Sequence, residues 1–513
     1  MSEIATPEFG KWRSRLWPVH SYELKKVLPM FFLFFFISFN YTILRDTKDT
    51  LIVTNAGAEA IPFLKFWGVV PSAVIFMLIY AKLSNILSKQ ALFYTMLSPF
   101  VLFFGLFATV IYPNKDAMLL TGTAQYLQDV LPAGLQGLVG CVRDWPYALF
   151  YILSELWGSL VLSLMFWGFA NDIMKVTEAK RFYSLLGIGA NIALMVSGPA
   201  IVWVSDIRSQ VGPDVDAWQV SLNYLMGMVV VAGLLTAACY WYINAKVLTD
   251  PRFYDPNQVK KAKKDKPKMG MAESFKYLAS SKYLGCIALL VIGYGVAINL
   301  VEVTWKGQLK LQYPNENEYS AFMGKFSTAT GFVTVLMMMF VGGNALRRGW
   351  KFAAMITPVV LLITGTGFFG FVLFRDSLAG AIATLGTTPL FLAVFFGAAQ
   401  NIMSKSAKYS LFDPTKEIAY IPLDQESKVK GKAAIDVVGA RLGKSGGSLV
   451  QQGLLFACGS LAAITPYIAA ILFVIIALWL GAVQVLDKEF QKLTAQREEE
   501  KAAEEQEKAA MAS

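Results

Sequence analysis

The sequence predicts an all-α polytopic membrane protein of about twelve transmembrane helices, each a block of about 20 apolar residues, in two related halves of six. Three observations carry that expectation. Apolar residues make up 55% of the 513 residues and charged ones 16%, with a mean hydropathy of +0.49. The apolar residues run in blocks long enough to cross a bilayer's hydrocarbon rather than in amphipathic stripes. Polar residues and prolines then repeat at one fixed offset between the halves.

The blocks begin near Val27, Ile61, Ala91, Tyr147, Leu185, Val220, Leu284, Phe322, Phe352, Ala381, Ala433 and Ala462. The first, Leu28 to Asn40, lacks a small-residue cleavage site and runs into Arg45-Asp46-Thr47-Lys48-Asp49, so it reads as a retained helix. A polar stretch from Asn244 to Lys282 follows the sixth block and carries the run Lys260–Lys268. The expected organisation is therefore a six-helix bundle over 1–243, a basic cytoplasmic linker over 244–282, a second bundle over 283–486 and a charged cytoplasmic tail over 487–513. Both the linker and the tail read as solvated segments.

The halves align. Asn40 and Asn299, Asn85 and Asn344, and Pro99 and Pro358 share one offset of 259 residues (299 minus 40). Lys65-Phe66 and Lys325-Phe326 follow with one residue of slippage. Two parallel six-helix repeats about an axis along the membrane normal are the major-facilitator layout, which places a substrate site at mid-membrane between the halves.

The formal net charge of +10 belongs to this topology. Basic clusters at Lys11–Arg15, Lys25–Lys26, Lys82 and Lys89, Lys175–Arg181, Lys260–Lys268, Arg347–Lys351 and Lys405–Lys432 all fall on one side of twelve spans. The opposite loops, Asn114–Asp144 and Asp206–Asp216, are mixed or acidic. This is the positive-inside pattern, and it places both termini in the cytoplasm and argues against nucleic acid as a partner. Cys141, Cys239, Cys286 and Cys458 are isolated, and the single histidine, His20, precedes the first span. Histidine-based metal sites and proton relays in the membrane are excluded, no cofactor is expected, and no catalytic constellation marks an enzyme.

What remains is charge inside the spans. Glu155, Glu302, Lys65, Arg441 and Lys444 lie in or at the ends of apolar blocks. An ionised side chain at bilayer depth costs at least ~2.5–3.5 kcal/mol on insertion scales, so each needs a partner or a wet cavity. Several together mark a pathway for a charged solute. Lys65 and Lys325, near the start of the second span of each half, would suit a multiply charged anion if they face the cavity, since an ammonium is a mobile point charge. Snorkelling to the interface is the competing reading for both, as it is for Arg45 and Lys48. Glu302 reads either as part of the pathway or as a salt bridge that only holds helices together. Gly439-Ala-Arg-Leu-Gly-Lys-Ser resembles a phosphate loop but is one residue short and follows no strand. Gly439, Gly443 and Gly447 instead recur every four residues on one helix face, which permits close packing. Arg441 and Lys444, three apart, form a neighbouring basic face suited to an anion.

Long strings then carry a family resemblance over about Glu23 to Lys488. They are Asn40-Tyr-Thr-Ile-Leu-Arg-Asp-Thr-Lys-Asp-Thr-Leu, Ile61-Pro-Phe-Leu-Lys, Lys82-Leu-Ser-Asn, Ser154-Glu-Leu-Trp-Gly-Ser and Trp167-Gly-Phe-Ala-Asn, with Lys408 through Asp436 the most specific. The chain resembles the ATP/ADP translocases, the nucleotide transporters of plastids and obligate intracellular bacteria. The resemblance implies exchange of external ATP for internal ADP by alternating access, and admits inorganic phosphate accompanying ADP. It also implies dependence on two lysines and two glutamates, matched here by Lys65 (with Lys48 as the nearby alternative), Glu155, Glu302 and Lys444. Arg441 and Lys325 would add to the phosphate contacts, and Asn40 and Asn299 would bond base or ribose. With only about two dozen residues before the first span, the chain looks bacterial rather than plastid, which implies a multi-pass protein of the bacterial inner membrane, expected as a monomer. Proton-coupled nucleotide importers and NAD/ADP exchangers of the same family remain open alternatives.

Overall fold

The computed structural model describes residues 19–512 except 175, 251, 254–275, 277, 279 and 280, which removes most of the expected linker from view. The described residues form helices and connections, with no strand among them. Ten helices are long and apolar enough to cross a membrane. They are α1 (Ser21–Asn55), α2 (Ala60–Ile86), α3 (Lys89–Met118), α4 (Trp145–Ile173), α5 (Arg181–Ser209), α6 (Ala217–Val247), α7 (Lys282–Gln312), α8 (Glu316–Arg347), α9 (Trp350–Leu373) and α12 (from Leu461). Two further stretches, α10 (389–419) and α11 (425–458), are also helical and complete the order. Gln400, Asn401 and Lys405 in α10, and the charges of α11, make these two the more polar pair.

Local chemistry sets where helices start. Ser88 caps α3 by accepting from the Ala91 amide, Asp216 caps α6 through Gln219, Ser281 caps α7 through Leu284, and Thr388 caps α10 through Phe391. The last cap corrects the expected start near Ala381. Arg375–Ala383 is a separate short helix, and α10 begins at Pro389, which supplies a preset φ at the first helical position. Gly459, at φ 85°, stops α11 in the left-handed conformation. The chain then turns directly into α12, which runs unbroken from Leu461 to Ala512 and so takes in the expected tail.

Small residues bring helices to backbone contact. The glycine face of α11 packs on α7 in matching steps of four. A Cβ on Gly439 would lie 2.5 Å from Val291, one on Gly443 3.2 Å from the Gly295 Cα, and one on Gly447 3.1 Å from Asn299. Between the halves, α5 and α8 meet the same way. A Cβ on Gly198 would sit 2.5 Å from the Gly324 carbonyl oxygen, and one on Gly324 2.7 Å from that of Gly198.

The ends of the bundle differ. Call the end where α1 starts and α12 finishes proximal, and the other distal. At the distal end polar contacts cross between the halves. Gln452 of α11 donates to the Pro62 carbonyl (3.0 Å) and accepts from Trp67 (3.0 Å). Asn317 of α8 donates to Ser221 (2.7 Å), and Arg208 pairs with Glu318 (2.7 Å). At the proximal end the contacts described stay within a half. Lys26 donates to Glu178 and to the carbonyls of Ile173 and Phe253, while Trp350 donates to the Thr415 carbonyl. Val70–Ile86 of α2 contains no buried residue. The described polar contacts near the helix ends thus join the halves at the distal end.

The α5–α8 contact gives a prediction. Gly198→Ala places a methyl against both the Thr328 hydroxyl and the Gly324 carbonyl oxygen, and overpacking of that kind costs about 1–3 kcal/mol. Thermal denaturation of the purified protein should show a lowered Tm for Gly198→Ala and none for Gly168→Ala, where no neighbour stands within 4 Å.

Candidate functional site: a buried chain of alternating charges

Five helices deliver charged side chains to one place inside the bundle. On α1, Lys48 and Asp49 lie about two turns short of the Asn55 end. The helix runs on past Arg45-Asp-Thr-Lys-Asp49, so these charges are interior rather than interfacial. On α4, Tyr151 and Glu155 are four apart and share a face. On α7, Asn299, Glu302 and Lys306 do likewise. Lys65 comes from α2, in a π-type turn over Leu64–Val69, and Lys405 comes from α10. Such widened turns re-aim side chains and recur at functional sites.

The charges alternate in sign along a continuous path. Glu155 lies 3.1 Å from Lys48, Lys48 2.7 Å from Asp49, Asp49 2.7 Å from Lys306, and Lys306 3.3 Å from Glu302. Glu302 then faces two more ammonium groups, Lys65 at 3.5 Å and Lys405 at 3.7 Å. Four lysines thus face three carboxylates, which leaves one positive charge over. Neutral partners complete the shell. Lys65 donates to Asn299 Oδ1 (2.8 Å), whose Nδ2 donates to Ser448 of α11 (2.9 Å). Lys48 sits 3.9 Å above the Tyr151 ring and Lys405 5.1 Å above that of Phe326.

Burial is graded along the path. The side chains of Lys48, Asp49 and Lys306 are 1–2% exposed, whereas those of Glu302, Lys65, Lys405 and Glu155 are 17–24% exposed. The first group forms a dry floor and the second reaches accessible space. Beside the floor, Arg45 donates to Asp46 (3.1 Å) and to Ser327 of α8 (2.7 Å), and Ser327 donates to Asp46. This second cluster also joins the halves.

Of the residues singled out from sequence, Lys48, Lys65, Glu155, Asn299 and Glu302 are brought together here. Asn40 is not. It is fully buried and donates to the Val229 carbonyl (2.9 Å), tying α1 to α6. Lys325 is exposed on α8, two residues from Ser327 and therefore on nearly the opposite face, so it does not pair with Lys65 across the cavity. Lys444 lies in a π-type turn of α11, and Arg441 ends the helical segment before it, but their side chains lie outside the described ones. Three members were missed: Asp49, Lys306 and Lys405. Lys306 was legible as the i+4 partner of Glu302. Lys405 was assigned to a cytoplasmic basic cluster, yet it lies inside α10 bound to Glu302.

Comparison with known proteins accords with this geometry. Residues 2–490 match the TLC ATP/ADP transporter family. The chain is 63% identical to ADP,ATP carrier protein 1 of Chlamydia muridarum, over 98% of this chain and 95% of that protein. It is 52% identical to ADP,ATP carrier protein 1, chloroplastic, of Arabidopsis thaliana, over 93% and 76%. A solved D-xylose-proton symporter superposes with a TM-score of 0.53 at 12% identity, covering 91% of this chain and 97% of that one, which shows a shared major-facilitator-like fold. A match running nearly end to end, on a fold that encloses a cationic intramembrane site, makes this chain a member of the TLC ATP/ADP transporter family.

Proposed function

We propose that the chain is an ATP:ADP antiporter that imports ATP in exchange for ADP by alternating access. The observation that carries this reading is the convergence of Lys65, Lys306 and Lys405 on the single carboxylate of Glu302. That carboxylate stands where an anionic group of a substrate would go. Phosphate oxygens compete for the same ammonium groups and carry more charge than one carboxylate, so they displace it. Glu155 holds Lys48 in the same way on the α4 side. Asn299 supplies an orienting amide, and Arg441 and Lys444 extend the basic face along α11. Inorganic phosphate accompanying ADP would use the same lysines.

The basic clusters place the proximal end and both termini in the cytoplasm, by the positive-inside rule. The structure would then be the state open to the cytoplasm, in a monomer within the bacterial inner membrane. Opening toward the outside requires the distal contacts and the cross-half ion pairs to part, while the proximal ends meet.

Uptake of labelled ATP into proteoliposomes loaded with ADP, with phosphate or with buffer alone tests the exchange. Uptake is expected only with an exchangeable anion inside, and it should persist when a protonophore abolishes the pH gradient. Uptake into empty vesicles that collapses with the gradient would replace antiport with proton symport through Glu155 or Glu302.

Side-chain roles separate kinetically. Lys65→Gln and Lys405→Gln each remove one charge-assisted bond, about 1.5–3 kcal/mol, and should raise KM for ATP roughly 10- to 100-fold. Glu302→Gln should alter turnover or counter-substrate dependence far more than the yield of folded protein. Wild-type exchange kinetics in that variant would rule out the displacement mechanism.

A further inference from the structure

Lys306 belongs to two structures at once. Its ammonium lies 3.3 Å from Glu302, within the lysine cluster, and 2.7 Å from Asp49 on α1. The second bond crosses between the halves and belongs to the most buried part of the network. Asp49 has another partner, Lys48 at 2.7 Å, on its other oxygen. Withdrawing Lys306 therefore does not strand a buried carboxylate, the event that makes breaking such pairs costly. Glu302 is likewise served from three sides, so it stays neutralised when any one lysine turns away.

We propose that Lys306 couples occupancy of the anion site to release of the distal closure, as a substrate-contacting residue that trades Asp49 for the substrate phosphate. This rests on the antiporter reading given above. When phosphate enters among Lys65 and Lys405, the displaced Glu302 carboxylate and the phosphate oxygens both draw on Lys306. One ammonium on a four-carbon stem cannot remain at 2.7 Å from Asp49 and also follow the phosphate. The tie between α1 and α7 loosens, and Lys48 retains Asp49 on the first half. With the site empty, Lys306 returns to Asp49 and the distal end stays shut. An empty carrier is thereby held from cycling, which makes transport an exchange.

Two variants of the full-length protein in proteoliposomes test this, alongside the thermal shift that ADP produces in the purified protein. Asp49→Asn keeps every lysine but removes the charge that holds Lys306. It should still be stabilised by ADP, yet admit labelled ATP into nucleotide-free vesicles at least about tenfold faster than wild type, the size of a typical coupling energy. Lys306→Gln should leak similarly and also show a KM for ATP raised about tenfold, since it loses a phosphate contact as well as the tie. Lys306→Arg keeps the charge and should restore dependence on internal ADP. Strict dependence on internal ADP in both Asp49→Asn and Lys306→Gln would overturn the proposal, as would a raised KM without leak in Lys306→Gln. If ADP neither stabilises nor exchanges through the wild-type protein, the antiporter reading itself has failed, and the variants need not be consulted to see it.

Discussion

A charged side chain in the interior of a membrane bundle must be neutralised where it stands, and the rest of this structure is arranged around that requirement. Seven such groups, from Glu155 through Lys48, Asp49, Lys306 and Glu302 to Lys65 and Lys405, answer it by alternating in sign. The path visits α4, α1, α7, α2 and α10, so its members come from both halves. Apolar packing alone has no need of this. Replacing buried ion pairs with well-packed hydrophobic residues is often neutral or stabilising by about 1–4 kcal/mol. A network that costs stability and joins helices expected to move apart is better explained by what it binds than by what it holds together.

Packing around the path follows from the same requirement. Side chains can meet at 2.7–3.7 Å only if the helices bearing them come close and keep their rotation. Matching four-residue steps, Val291, Gly295 and Asn299 on α7 against Gly439, Gly443 and Gly447 on α11, fix that rotation and present Asn299 to Lys65 and Ser448. The π-type turn at Leu64–Val69 turns Lys65 inward from a helix whose remaining length is poorly covered. Gly198 and Gly324 do for α5 and α8 what the glycines of α11 do for α7, but across the two halves. There the close approach includes backbone on backbone, at the Gly198 and Gly324 carbonyls.

The fold was legible because membrane insertion is a length and hydropathy constraint, and both are written locally in the chain. Glu155, Glu302 and Lys65 were legible for the converse reason, as local violations of that constraint. Lys306 was legible only through its i+4 spacing from Glu302, and Lys405 not at all, because both lie near helix ends where a lysine usually snorkels and the sequence does not say how far α7 and α10 extend beyond them. Asn40 shows the opposite error. Its match with Asn299 in the repeat suggested a shared role, yet one bonds a carbonyl of α6 and the other bridges Lys65 to Ser448. Repeats conserve helix packing more readily than function, because each half packs against itself while only one set of side chains needs to meet a given part of the substrate.

The arithmetic of charge also bears on why such a site favours exchange over leak. With no ligand bound, the four lysines and three carboxylates among the described side chains nearly balance, and the closest pairs, at 2.7 Å, are the most buried. Opening the distal side without a ligand parts Lys306 from Asp49 and offers the lysine no new partner, although Lys48 keeps Asp49 neutralised. On the proposed mechanism a nucleotide changes the balance by bringing several negative charges to the lysines, so that cations withdrawn from carboxylates are paired with phosphate at each stage. The ligand shifts the equilibrium only by as much as it binds the open state more tightly than the closed one. Its differential contact is the one an uncharged or weakly charged solute lacks.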